Sequence, residues 1–422
     1  MVKENVKKGV MQKFMDWMSK EATPKLEKIA NNPWISALQK SILKTVPMVL
    51  VGSLITVVKV LRNFVPSIPN LAPISSYTFG LISLFMVFLI PYHVLENLKN
   101  NKMKFLAGFT GIALFFILVD PEITDAGYVY NFSSFGAGGM FVAIVAGLFT
   151  AFVINLFRKL TFFKEESAMP DFVREWFDSM LPIFTVVFLG WLLVIQLGFN
   201  LYESIVALFT PLMDIAQSWP GMLLLYLIPT ILYSMGISGW VFQPILNPVT
   251  LVAISANSEA IASGLTAQYP FTAETTTAFL SLGGRGATLP LVILLILSQA
   301  KSLKALGRAS AVPGILNINE PVVFGAIAWN PILMIPMWII GLVLPTITYF
   351  ALTSGLVPMP SEVFSMWYCP IGISSWLVTK DIRGLILTAV NFVVALAIWY
   401  PFFKVHEGRV LKNEQKEALA DK

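Results

Sequence analysis

Glu320 is the side chain in this sequence best placed to do chemistry. It lies in the run Asn317-Ile318-Asn319-Glu320-Pro321-Val322-Val323-Phe324-Gly325, an otherwise apolar stretch that becomes apolar again at 329–344. A carboxylate removed from water without a partner costs several kcal/mol or takes up a proton. An ionisable residue at membrane depth is therefore a functional candidate by default. Pro321 removes a backbone donor, and Gly314 and Gly325 flank it, so irregular backbone is expected here. At that depth such backbone survives only when buried in protein or lining a wet cavity, which suits a polar ligand. The competing reading, a loop between spans with its carboxylate in water, has little room before the apolar sequence resumes.

The elements that must hold this run belong to a membrane protein. Of the residues 56% are hydrophobic and 13% charged, against roughly 25% charged in a soluble domain. Apolar stretches near the length that crosses about 30 Å of hydrocarbon recur at 41–62, 74–95, 103–119, 135–157, 180–200, 221–235, 287–300, 330–351 and 384–403. Two further stretches, 236–256 and 313–329, are interrupted by Gly, Pro, Asn and Gln and read as re-entrant or discontinuous elements. The expected fold is all-α and polytopic, with about ten transmembrane helices and re-entrant hairpins.

Basic residues set the expected orientation. Lys99, Lys102 and Lys104, then Arg158, Lys159 and Lys164, fill two loops, whereas the alternate loops 65–76 and 120–134 carry no Lys or Arg. The basic loops are expected inside, together with the N-terminal Lys3, Lys7, Lys8 and Lys13 and the tail with Lys404, Arg409 and Lys412. Both termini are then cytoplasmic. The net charge of +5 follows from this asymmetry and is not read as nucleic-acid binding. Residues 1–40 show no cleavable signal peptide, since they lack a sustained apolar core. Cys369 is the one cysteine, and of the two histidines His93 sits at the inner end of the second span and His406 in the basic tail, so neither a disulfide, a metal site nor a cofactor is expected. No Walker-type loop is present, so ATP hydrolysis by this chain is not expected.

Four regions are expected: an amphipathic cytoplasmic segment at 1–40, an N-terminal membrane half at 41–179, a ligand-holding half at 180–403 and a cytoplasmic tail at 404–422. The two halves join near 165–180. There Glu165, Glu166, Asp171, Arg174, Glu175 and Asp178 mix with Phe172, Trp176 and Phe177, as in an amphipathic helix lying on the inner membrane surface. The second half concentrates Gly, Asn, Gln, Thr and Pro within its apolar stretches, so it should carry the site.

Three ordered motifs then make a resemblance specific. Gly283-Gly284-Arg285-Gly286-Ala287-Thr288-Leu289, Lys301-Ser302-Leu303-Lys304-Ala305-Leu306-Gly307 and Pro313-Gly314-Ile315-Leu316-Asn317-Ile318-Asn319-Glu320-Pro321 resemble enzyme IIC, the membrane permease of the bacterial sugar phosphotransferase system, in its lactose, cellobiose and chitobiose branch. Met169-Pro170-Asp171, Gly236-Ile237-Ser238-Gly239, Asn247-Pro248 and Tyr400-Pro401-Phe402-Phe403 extend the similarity over nearly the whole chain. The resemblance implies a homodimer in the bacterial plasma membrane, with the N-terminal half at the interface. The C-terminal half would hold one disaccharide or oligosaccharide and carry it inward by an elevator-like movement. A cytoplasmic phosphocysteine-bearing IIB protein, recharged by IIA, would phosphorylate the sugar, and Glu320 would contact its hydroxyls. Trp367-Tyr368-Cys369-Pro370 lacks the surroundings of a IIB cysteine loop, so IIA and IIB are expected as separate chains.

Two departures from that branch matter. Its motif Gly-Ile-His-Gly appears here with Ser238, whose hydroxyl does not accept a proton near neutrality as imidazole does. Either another base serves, with Glu320 the candidate if burial raises its proton affinity, or the serine merely orients sugar, or the scaffold works as a sugar transporter or sensor uncoupled from phosphorylation. Arg285 stands where the branch has a small residue. It either reaches the membrane interface or pairs with Glu320 or an anionic group. Polar candidates for hydroxyl recognition are Gln243, Asn247, Asn257, Thr288, Asn317 and Asn319, because amides both donate and accept. Trp240 and Trp329 are the better stacking candidates, followed by Trp367 and Trp376, although any one of them can instead be an interfacial anchor.

Overall fold

The computed structural model describes residues 13, 17, 20, 21, 23–62, 65–125, 127–162, 170–237 and 239–420. Lys3, Lys7, Lys8, Lys164, Glu165, Glu166, Met169 and Ser238 lie outside the described residues.

The first half is built from α1 (Pro33–Arg62), α2 (Ile82–Asn97), α3 (Lys104–Leu118), α4 (Met140–Leu156) and α5 (Asp171–Trp191). Helix α2 sits among α1, α3 and α4. Small residues make that possible. A Cβ at Gly111 would stand 2.6 Å from the Val87 carbonyl, and one at Gly147 would stand 2.9 Å from Ile90. Close backbone approach of this kind is how helices associate where lipid is as apolar as the side chains. Between α3 and α4 a short antiparallel hairpin pairs β1 (Glu122–Thr124) with β2 (Gly127–Val129).

The second half comprises α6 (Leu201–Gln217), α7 (Trp219–Ser234), α8 (Gln243–Ala262), α9 (Leu289–Ile296), α10 (Lys301–Ile315), α11 (Pro331–Thr353), α12 (Ile373–Thr379) and α13 (Ile382–Ala420). Helix α11 packs between α7 and α13, and α9 with α10 forms a tight hairpin against α13. Two large buried clusters result among the described residues, one drawn mainly from residues before 195 and one mainly from residues after 212, with a small third at Leu95, Ala107 and Ile154.

Among the described residues seven helices are long and apolar enough to cross a membrane, or eight with α6 and α7 taken as one span bent by 80°, and α3 is a shorter apolar helix. The stretch 287–300, expected as a span, is instead α9, which has 8 residues and turns back into α10. The stretch 236–256 also differs from expectation, since 243–262 is a continuous helix with Pro248 inside it. The described part of the charged segment, 171–180, is the start of α5 and continues into a span, because α5 packs against α3 and α4. The expected boundary at 179/180 therefore falls inside α5. That at 40/41 falls inside α1, and that at 403/404 inside α13.

One side of helix α13 holds the irregular backbone of the second half. Thr388 donates to Ala278 O at 3.2 Å, Asn391 to Phe279 O at 3.0 Å and Trp399 to Ala287 O at 2.9 Å. Further along, Glu407 accepts from Ser298 Oγ at 2.7 Å, and Glu414 accepts from the first amides of α10 at 3.1 and 2.9 Å. Carbonyls and amides that no regular helix satisfies thus find partners within the protein.

Candidate functional site

The site is assembled where two polar turns lock together. Residues 281–288 turn sharply, with Gly283, Gly284 and Gly286 at φ of 83°, 97° and 84°. Asn317, itself at φ 59°, faces this turn. Its Oδ1 accepts from Gly283 N at 2.8 Å and Gly284 N at 3.3 Å, while its Nδ2 donates to Trp367 O and Cys369 O, both at 3.0 Å. Asn319 completes the lock: it donates to Arg285 O at 2.9 Å and accepts from the Tyr233 hydroxyl at 3.1 Å. The approach is so close that a Cβ at residue 284 would lie 2.4 Å from Asn319 Cγ. Both amides expected to read a ligand are therefore committed to protein partners. They fix the turn and, with Arg285 and Glu320, line a cavity.

That cavity, of about 360 Å³, lies between the two halves and is within the range of small-molecule sites. Helix α1 of the first half supplies Ile42, Thr45, Val46 and Val49 as one wall. The second half supplies Gln243 and Asn247 from α8, Tyr226 and Tyr233 from α7, Thr277, and Arg285, Glu320 and Trp367. A second depression at Pro331, Ile335 and Phe402 offers no polar side chain.

Glu320, Gln243 and Asn247 have no side-chain hydrogen bond or ion pair among the described residues, so their polar groups are available to a ligand. Glu320 is exposed at the cavity rather than buried. Arg285 does not pair with Glu320. Its guanidinium sits 5.2 Å from the centre of the Tyr226 ring and reaches Tyr226 O at 3.4 Å, which keeps it at the cavity wall.

Other sequence candidates fall elsewhere. Thr288 is fully buried and donates to Gly283 O at 2.6 Å, so it braces the glycine turn. Asn257 is likewise buried and ties α8 to Tyr269 O and Pro360 O. Trp329 is left out of the cavity lining, as is Trp376, whereas Trp367 lines it and is 43% exposed. Trp240 belongs to a short helical turn, Gly239–Phe242, whose side chains at 239 and 240 lie outside the described residues along with Ser238.

The sequence reading missed the α1 wall and Glu274. The wall was legible as Ile42, Thr45, Val49, Ser53 and Thr56, spaced three or four residues apart on one helical face. Glu274 stands in the same kind of apolar surroundings that drew attention to Glu320. It is fully buried, accepts from Phe364 N at 3.1 Å through Oε1, and leaves Oε2 without a partner.

A cavity between two helical halves, with a glycine turn locked to an Asn-x-Asn-Glu-Pro motif, has counterparts among known proteins. Residues 39–341 match the family described as "Phosphotransferase system, EIIC". The lichenan permease IIC component of Bacillus subtilis is 28% identical over 442 residues, 96% of each chain. The cellobiose-specific EIIC component of Geobacillus stearothermophilus is 28% identical over 446 residues, 96% of this chain and 97% of its own. The crystal structure of the transporter ChbC, the IIC component of an N,N'-diacetylchitobiose-specific phosphotransferase system, superposes with a TM-score of 0.85 at 27% identity, covering 94% of this chain and 99% of that one. With the family matched over most of its length and the fold shared, this chain belongs to the phosphotransferase system EIIC family, the multi-pass membrane sugar permeases of that system.

Proposed function

We propose that this chain imports a disaccharide or short oligosaccharide of the cellobiose, chitobiose or lactose type through the cavity between its halves. The observation that carries the reading is the set of unpaired polar groups there. Glu320, Gln243 and Asn247 offer a carboxylate and two amides to hydroxyls, and Trp367 offers an aromatic surface to the apolar face of a pyranose. Because one wall is α1 and the rest is the second half, relative movement of the two would shift the sugar from one side to the other. This elevator-like step fits a homodimer that holds the first half still.

On the cytoplasmic side the sugar meets a phosphocysteine of a separate IIB protein, which IIA recharges. The phosphoryl group passes from sulfur to a sugar oxygen, and the hydroxyl proton must go to a base. Ser238, standing where the branch has histidine, favours a second reading in which the same scaffold transports without phosphorylation. Uptake of labelled cellobiose and chitobiose into vesicles, with and without phosphorylated IIB, separates the two. Sugar phosphate formed only with the donor supports coupling, free sugar accumulating without it supports the second reading, and no uptake of either sugar rejects both.

A further inference from the structure

The face of α1 that walls the cavity continues past it. Beyond Ile42, Thr45 and Val49, the same helical spacing brings Ser53, Thr56 and Lys59 against residues 361–369, part of the connection between α11 and α12. Three rungs join them. Ser365 N donates to Ser53 Oγ at 2.8 Å, Thr56 Oγ1 donates to Val363 O at 2.8 Å, and Lys59 Nζ donates to Glu362 Oε1 at 2.9 Å. Strap numbers fall as helix numbers rise, so the strap runs antiparallel to α1 and covers the Lys59 end of the cavity wall.

The strap's other side is bonded to the half that holds the site. Trp367 O and Cys369 O accept from Asn317, Phe364 N donates to the buried Glu274, and Ser361 N donates to Val378 O at 3.3 Å. The Phe364 side chain, 1% exposed, is part of the second buried cluster.

The two seams are unequal. The one to the site half is buried and includes the Phe364 N bond to the Glu274 carboxyl group, whereas the α1 seam consists of two hydroxyl bonds and an ion pair whose lysine side chain is 58% exposed and therefore screened. The α1 seam also opens without stranding its helix donors. Ser53 Oγ has Val49 O at 3.1 Å and Thr56 Oγ1 has Gly52 O at 3.5 Å, so each hydroxyl keeps a partner within α1. Glu362 likewise keeps Lys380, on the site half's own side.

We propose that residues 361–369 form a strap that seals one end of the cavity, moves with the site-bearing half, and parts from α1 along the Ser53, Thr56 and Lys59 ladder whenever the cavity opens at that end. Glu274 is its positioning residue. With the N-terminus inside, the Lys59 end of α1 is the outer end, and this structure is sealed outward. The inference rests on the transport reading above and adds which contacts must break.

The test uses the full-length protein with Cys369→Ser, after its exchange of cellobiose and chitobiose in proteoliposomes has been measured. In the Ser53→Cys/Ser365→Cys pair, oxidation with copper phenanthroline is expected to lower exchange at least tenfold while sugar binding persists, and reduction is expected to restore it. The Ser361→Cys/Val378→Cys pair crosses the other seam, and its oxidation is expected to leave exchange unchanged. Full exchange with the first disulfide formed, or loss of exchange with the second, overturns the strap. A lone Ser53→Cys, probed with an impermeant maleimide from outside, gives a readout that needs no transport. Slow labelling is expected from the open fraction, and none at all overturns the proposal even where exchange is seen. Labelling without any sugar exchange in the wild type instead defeats the permease reading.

Discussion

Replacing Glu320 separates ligand binding from folding more cleanly than any other change in the cavity. Its carboxylate has no hydrogen bond or ion pair among the described residues, so Glu320→Ala strands no buried partner there. The whole effect should appear in sugar affinity. A hydrogen bond to a charged group contributes about 1.5–3 kcal/mol and a neutral one about 0.5–1.5 kcal/mol. At about 1.4 kcal/mol per tenfold, Glu320→Ala should weaken binding by roughly 10- to 150-fold, and Glu320→Gln by roughly 10-fold. Asn317→Leu supplies the contrast. That side chain is 6% exposed and bonds two amides and two carbonyls. Each group left unsatisfied costs about 1–3 kcal/mol, so this variant should lose stability before it loses a ligand contact. Equilibrium binding of labelled cellobiose and chitobiose to purified protein, beside thermal unfolding of the same samples, reads both quantities. Wild-type affinity in Glu320→Ala, for the sugar that the wild type binds, would refute the reasoning and leave the unpaired carboxylate without a role.

Trp367→Ala removes the aromatic surface that lines the cavity and should weaken sugar binding by about 1–3 kcal/mol; unchanged affinity would return that tryptophan to a purely packing role. Ser238→His should raise the single-turnover rate of sugar phosphate formation from phosphorylated IIB by about 10²- to 10⁴-fold if a base at this position limits transfer. A flat or lower rate, over roughly pH 6–8 where imidazole titrates, would assign proton removal elsewhere. Glu362 lies outside the spanning helices, and although burial raises its carboxyl, the Lys380 and Lys59 ammoniums lower it more, so that it falls below its ordinary 4.5. Its contribution to the strap seam is then fully present above about pH 4.5 and fades as pH falls through the lower folded value. Glu362→Gln should flatten that acid limb of the stability profile, and superimposable profiles would show that the cluster contributes nothing.

Sequence alone determined the class of the molecule and the location of its critical motif. Recurrent apolar runs of spanning length mark a membrane protein, and a carboxylate beside a proline in such surroundings is a functional candidate by default. The spacing of Gly283-Gly284-Arg285-Gly286 and Asn317-Ile318-Asn319-Glu320-Pro321 was equally visible, because glycines and asparagines at left-handed positions are chosen by local backbone geometry. Tertiary structure alone decided which of those polar residues are free. Asn317, Asn319, Thr288 and Asn257 look as able to meet a ligand as Gln243 and Asn247 do, and they differ only in which distant amides and carbonyls reach them. The run 287–300 is apolar for most of its length, yet it folds into a hairpin whose bend Glu407 and Glu414 of α13 satisfy from more than a hundred positions away. The α1 wall became part of the site for the same reason. A helical face declares its own periodicity, but its partner is set by contacts between residues as far apart as Ser53 and Ser365.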